Sequence, residues 1–212
     1  VQCALGWACW KTYLGRPEAD QVRHLAISVL GNGLDAAAHH EDALSVREAE
    51  LSLLRRVGAS EPNLLMVQNN LGITYEQLKR HEEAMRIRQG VYSARVKLFG
   101  EEHIDVLGAA SNYALTLNEL ERFAEAKSLM RKTMPAARRV LGGNHVLMLM
   151  MRMNYAQALY RDPAGTLVDL SESVETYEDS ERIARRVLGG SHPLTTEIEQ
   201  TLQKVRAALR AR

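Results

Sequence analysis

The chain has 212 residues, with 27 Lys and Arg against 26 Asp and Glu, a formal net charge of +1. Hydrophobic residues at 46% and charged residues at 25% exclude wholesale disorder, and aromatics at only 5% favour helices over a sheet-rich domain. The near-neutral balance lacks the electrostatic footprint of a dedicated nucleic-acid binder, and no apolar run reaches the length of about eighteen residues that a membrane span needs.

The opening stretch, Val1 to Leu14, is apolar and holds Trp7 and Trp10. It lacks the basic start and small-residue cleavage site of a signal peptide. It reads as the second helix of an earlier hairpin, which makes the chain a piece of a longer protein by expectation. Self-association through this helix is expected if its upstream partner is missing. Cys3 and Cys9 form no framework and no metal-ligand spacing. A reducing, cytoplasmic setting is the simpler expectation.

Beyond this stretch the sequence repeats. Gly58, Gly100 and Gly142 are 42 residues apart, and Gly189 follows 47 later. Asn70, Asn112 and Asn154 keep the same step of 42, and Ala43, Ala84 and Ala126 stand 41 and 42 apart. A glycine closing an apolar-periodic segment suits a left-handed helix C-terminus, and Pro62 and Pro193 suit the first turn of the next helix. Between these blocks, Leu64, Val67, Leu71, Tyr75 and Leu78 recur at helical spacing, as do Ala84, Ile87, Val91 and Ala94.

The unit is therefore a helix hairpin, with helices expected at 17–38, 40–57, 62–79, 81–98, 104–120, 123–141, 146–161, 167–188 and 193–210. Leu14-Gly15-Arg16-Pro17 imitates the linking block. Pro135 should kink its helix, and Asp162 to Thr166 should form a longer turn. The expected division is 1–16 (end of a truncated repeat), 17–58 (a divergent repeat), 59–100, 101–142, 143–189 (longer turn) and 190–212 (capping helix). The fold class is all-α, a right-handed superhelical solenoid of stacked antiparallel hairpins.

Asn69-Asn70-Leu71-Gly72 with Tyr75, His81-Glu82-Glu83-Ala84 and Leu98-Phe99-Gly100-Glu101-Glu102-His103 resemble the tetratricopeptide repeats of kinesin light chains. The resemblance covers about residues 17–193 and is strongest over 58–145. It departs at Val29, which stands where Asn is expected, and at Ser173, which replaces a small Ala. It implies a scaffold that binds short linear peptides of partner proteins, with Asn at the place of Asn70, Asn112 and Asn154 contacting the peptide.

The helical periodicity itself puts Met66, Asn70, Ile73 and Gln77 on one non-core face. The equivalent column is Gly108, Asn112, Leu115 and Glu119, and then Met150, Asn154, Gln157 and Arg161. Stacking would line these columns along a concave groove. An Asn amide carries donor and acceptor together, as pairing with an extended peptide requires. The competing role for the same Asn residues is hydrogen bonding between neighbouring helices.

His103, His145 and His192 keep the period, but equivalent residues of stacked hairpins lie about 10 Å apart, too far to share one metal ion. They read as residues at helix starts. His39 and His40 read as a solvated turn. Arg131, Lys132, Arg138 and Arg139 form either an outer basic patch or, more simply, a solvated face.

No phosphate loop, Gly-x-Gly-x-x-Gly or Gly-x-Ser-x-Gly motif is present, so neither enzyme chemistry nor a cofactor is expected. A protein or peptide ligand is the expected partner, with no nucleic acid and no membrane. A structural segment whose groove is filled by its own chain is the alternative. An RNA-binding hairpin array would need a shorter period and a basic groove.

Overall fold

The computed structural model describes residues 2–18 and 20–211. Among them lie ten helices and no strand. They are α1 (Gln2–Tyr13), α2 (Gln21–Ala36), α3 (His40–Arg56), α4 (Glu61–Gln77), α5 (His81–Phe99), α6 (Ile104–Glu119), α7 (Phe123–Leu141), α8 (Val146–Arg161), α9 (Leu167–Leu188) and α10 (Pro193–Arg210). The chain forms two compact units, residues 1–94 and 95–212, with the division inside α5.

Two kinds of turn alternate. The links between hairpins carry the periodic glycines, at φ +67° for Gly58, +79° for Gly100, +76° for Gly142 and +89° for Gly189. The expectation of a left-handed helical ending needs correction at two of them. Gly142 and Gly189 have ψ of 165° and 160°, outside the left-handed helical well, in a region that only glycine enters readily.

The turns inside the hairpins place a non-glycine residue at positive φ: Ala38 at 62°, Lys79 at 60° and Glu121 at 58°. Each is closed by the next amide reaching back five residues. His39 donates to Leu34 O at 2.9 Å, Arg80 to Tyr75 O at 2.9 Å and Arg122 to Leu117 O at 2.8 Å. That pairing satisfies carbonyls that a helix end would otherwise leave bare.

Helix starts follow chemistry read from the sequence, with one correction. Pro62 and Pro193 stand in the first turns of α4 and α10. Pro17 does not begin a helix, and Gly15 does not take a left-handed φ. Asp20 instead accepts from the amides of Val22 at 2.7 Å and Arg23 at 3.3 Å, so α2 starts at Gln21. A carboxylate at the cap outcompetes a proline three residues earlier. The expected helix start at Val1 lies outside the described residues. α7 runs through Pro135 without interruption from Phe123 to Leu141. The longer turn after α8 ends in a capping box, where Thr166 and Asp169 each accept from the other's amide.

In the first unit, α1 lays Cys3 and Trp10 against a core of Leu30, Leu34 and Ala43, and leaves Leu5 and Trp7 exposed. A second core joins Leu44, Leu51 and Leu54 of α3 to Val67 and Leu71 of α4. In the second unit, Leu149, Ala156, Tyr177 and Ala184 of α8 and α9 pack on Ile198, Leu202 and Val205 of α10. The other side of α10 carries exposed charged residues.

Candidate functional site

The first helix of each hairpin carries the candidate column. In the first unit this is α4. Met66 is 48% exposed, Ile73 37%, Gln77 is exposed and Asn70 half-buried. The Asn70 side chain has no hydrogen-bond partner among the described residues, and its backbone carbonyl accepts from Thr74 Oγ1 at 3.2 Å. Large apolar side chains are left open next to an amide on one helix face.

In the second unit, α6 and α8 lie side by side and bring two columns together. Met150 is 39% exposed, while Asn112, Leu115 and Gln157 are half-buried. Glu119 and Arg161, members of the expected columns, face each other across the step of 42 at 3.1 Å. The Arg161 guanidinium also stands 5.5 Å from the Phe123 ring centroid. Their opposite signs cancel locally.

Asn154 is placed differently from Asn70. It is 8% exposed, and its Nδ2 donates to Ser111 O at 2.9 Å and Ser111 Oγ at 3.1 Å. The amide nitrogen is thus engaged by α6. In return, the wholly buried Asn118 donates from Nδ2 to Asn154 O at 2.8 Å and to Gln157 Oε1 at 3.4 Å. The pair ties α6 to α8, which is the architectural role weighed for this position.

The periodic histidines are helix caps. Nδ1 of His103, His145 and His192 accepts from the amide two residues on, at 3.2, 3.1 and 3.2 Å. An accepting Nδ1 fixes the proton on Nε2. Among the described residues no group of three or more His, Cys, Asp or Glu is arranged to hold a metal ion. No described helix is long and apolar enough to cross a membrane.

A buried ion pair recurs in the first unit and escaped the sequence reading. Arg47 Nη2 lies 2.7 Å from Asp35, with His40 Nδ1 3.3 Å from the same carboxylate, so His40 is not simply solvated. One hairpin on, Arg88 Nη1 lies 2.5 Å from Glu76, with His81 Nδ1 3.3 Å away. Gly31 and Gly72 make room for the arginines, since a Cβ at Gly72 would stand 3.2 Å from Arg88 Cγ. Burial lowers the Arg88 pKa, and the Glu76 charge opposes that shift. The next repeat has Ala114, Asn118, Phe123 and Met130 at these places, and the pair becomes a neutral, buried arrangement. Aligning the sequence at steps of 41 and 42 would have exposed the pattern, because Gly, an acid, His and Arg recur together.

Comparison with known proteins accords with this construction. Residues 64–105 and 106–147 match the tetratricopeptide repeat family. No curated protein sequence matches the chain. Among solved structures, BtubC (BKLC) from P. vanneervenii is 14% identical, with a TM-score of 0.68 over 100% of this chain and 92% of that one. A kinesin light chain-type protein of Podosopora anserina with nearly identical TPR-like repeats is 18% identical. Its TM-score is 0.69, over 87% of this chain and 86% of that one.

The chain carries two tetratricopeptide repeats, over residues 64–147. Its fold is that of the kinesin light chain-like arrays, and its family repeat of 42 residues is counted from Leu64 and Val106. Such arrays are a non-enzymatic type of fold that serves in general as a protein-interaction scaffold.

Proposed function

We propose that this chain binds short linear segments of partner proteins on the first helices of its hairpins. The observation that carries this reading is the pairing, on α4 and α8, of open apolar side chains with amides. Met66 and Ile73 flank Asn70 on α4, and Met150 is open on α8, which carries the half-buried Gln157 two turns on and lies against α6. Methionine adapts to different side chains, and a primary amide can pair with both N–H and C=O of an extended backbone. Asn154 takes part by fixing the spacing of α6 and α8, and the Glu119–Arg161 pair borders the same face.

The test is binding of a library of short fluorescent peptides to the chain and to its Ile73→Glu, Met150→Glu, Asn70→Ala and Asn112→Ala variants. Circular dichroism establishes that each variant is folded. A peptide class retained by the parent and weakened roughly tenfold or more by the face variants supports the reading. Equal binding by parent and all four variants, or no binding at all, overturns it.

A further inference from the structure

The second unit contains a cleft of about 570 Å³ on the side of α8 opposite Met150 and Gln157. Its walls are α7 and α9, and its floor is α8. Residues 148, 152 and 155 share one face of α8, whereas 150 and 157 fall on the reverse at about 100° per residue. This cleft therefore does not belong to the face proposed above, and it stands or falls independently of it.

Three arginines enter the cleft: Arg131 and Arg138 from α7 and Arg152 from α8. Arg131 is engaged, because its Nε donates to Tyr155 Oη at 2.9 Å, and Tyr155 donates onward to Glu172 at 2.8 Å. The other two are not. Arg138 has no partner for its guanidinium among the described residues. Arg152 Nη1 is buried and meets no acceptor among them. Nearby basic residues of α7 are satisfied elsewhere: Lys132 pairs with Glu101 at 2.8 Å, and Arg139 pairs with Glu102. The patch is thus selective. Its outer members are ion-paired, and its cleft-facing members keep donors to offer.

Two carboxylates also line the cleft, and both have other duties. Glu172 accepts from Tyr155 and Asp179 pairs with Arg182 at the surface, where its side chain is 62% exposed. Asp179 attracts Arg152 and Arg138 repels it, while burial disfavours its charge most, so the pKa of Arg152 is lowered. A second anion placed between Arg138 and Arg152 would relieve that repulsion and meet the orphaned donor. Around them, Met134, Pro135 and Met148 give an apolar wall.

We infer that this cleft between α7 and α9 holds an oxyanion, a carboxylate or phosphate group, presented by a partner peptide beside an apolar side chain. Arg138 and Arg152 are its ligands. Asp179, which lines the same cleft, competes with it. The volume lies within the range of ordinary ligand pockets, and two planar guanidinium groups suit a planar or tetrahedral oxyanion better than a single point charge would.

The experiment is fluorescence anisotropy with three labelled peptides that differ at one site: phosphoserine, aspartate or serine, flanked by leucines. The phosphoserine or aspartate peptide is expected to bind and the serine peptide not, with affinity falling as salt rises. Whichever of the two binds more tightly names the oxyanion. Arg138→Gln and Arg152→Gln should each weaken binding about tenfold or more, and Asp179→Asn should strengthen it. Arg138 is exposed, so its variant keeps the test valid should Arg152→Gln fail to fold. Arg139→Gln, at a guanidinium already paired with Glu102, should leave this binding unchanged. Equal binding of the serine peptide, or binding indifferent to Arg138→Gln, overturns the inference, as does no binding by any peptide.

Discussion

Arg47 donates from Nη2 to Asp35 at 2.7 Å while its side chain is only 3% exposed. Nε of the same guanidinium bonds Thr74 Oγ1 at 3.0 Å, and Thr74 bonds Asp35 in turn at 2.9 Å. One ion pair therefore ties α2, α3 and α4 together within the first unit. A buried pair gives little net stability over an apolar replacement, but halving it strands a charge. Arg47→Met should destabilise the first unit by about 3 kcal/mol. Asp35→Asn combined with Arg47→Met copies the neutral arrangement of Asn118 and Met130, and should recover at least half of that loss. Urea unfolding followed by circular dichroism reads both values. A double variant less stable than the single one would show that the pair itself is needed.

Glu50 on α3 is a buried acid of another kind. It is 1% exposed, accepts from Ser28 on α2, and has its second oxygen without a partner among the described residues. Burial raises its pKa, against the opposing effects of the Ser28 hydrogen bond and the charges of Arg47 and His24. Between the ordinary glutamate value and the raised one, the folded chain keeps a proton that the unfolded chain has lost. Stability should therefore fall as pH rises through that window. Glu50→Gln should flatten this fall and raise stability at neutral pH. Melting temperatures of both chains from pH 4 to 8 check it, and parallel curves would refute it.

The fold was legible wherever the sequence carried a period. The hairpins, the glycine links and the helix starts at Pro62 and Pro193 follow from spacing and steric rules alone. What stayed hidden lacked a residue-type signature. Ala38, Lys79 and Glu121 occupy positive φ without being Gly or Asn, because the back-reaching amide of the next residue holds the turn. The candidate face was legible as a column, but not in detail. Side-chain burial depends on how α6 and α8 approach, so Asn70 and Asn154 read alike in sequence and differ in space. The cleft over α8 is built from three helices, and no single segment announces it.

The two kinds of positive-φ turn should respond oppositely to substitution. Ala38→Gly removes a Cβ clash in the left-handed well and should stabilise by about 0.5–1 kcal/mol, less the greater freedom of glycine in the unfolded chain. Gly142→Ala places a side chain at φ +76° and ψ 165° and should destabilise by about 1–3 kcal/mol. Thermal unfolding of the two variants distinguishes them by sign.

The histidine caps give a chemically specific prediction. His145 accepts the Leu147 amide at 3.1 Å at the start of α8. His145→Ala should cost about 1 kcal/mol, and His145→Asn or His145→Ser, which also offer an accepting atom at the cap, should restore most of it. Equal losses for all three variants would show that the imidazole acts by packing instead.

Asn154 and Asn70 allow the architectural and recognition roles to be separated. Asn154→Ala leaves the Ser111 carbonyl and hydroxyl without their donor inside a buried seam, and should destabilise the second unit by about 2 kcal/mol. Asn70→Ala removes a half-buried amide with no partner among the described residues, so it should change stability by no more than about 0.5 kcal/mol. Denaturant midpoints measure both. The separation bears on function, because loss of peptide binding in Asn70→Ala at unchanged stability can only report on the α4 face. The same loss in Asn154→Ala would mix recognition with a loosened α6–α8 seam. Should Asn70→Ala unfold the chain as readily as Asn154→Ala, the two residues share one structural role.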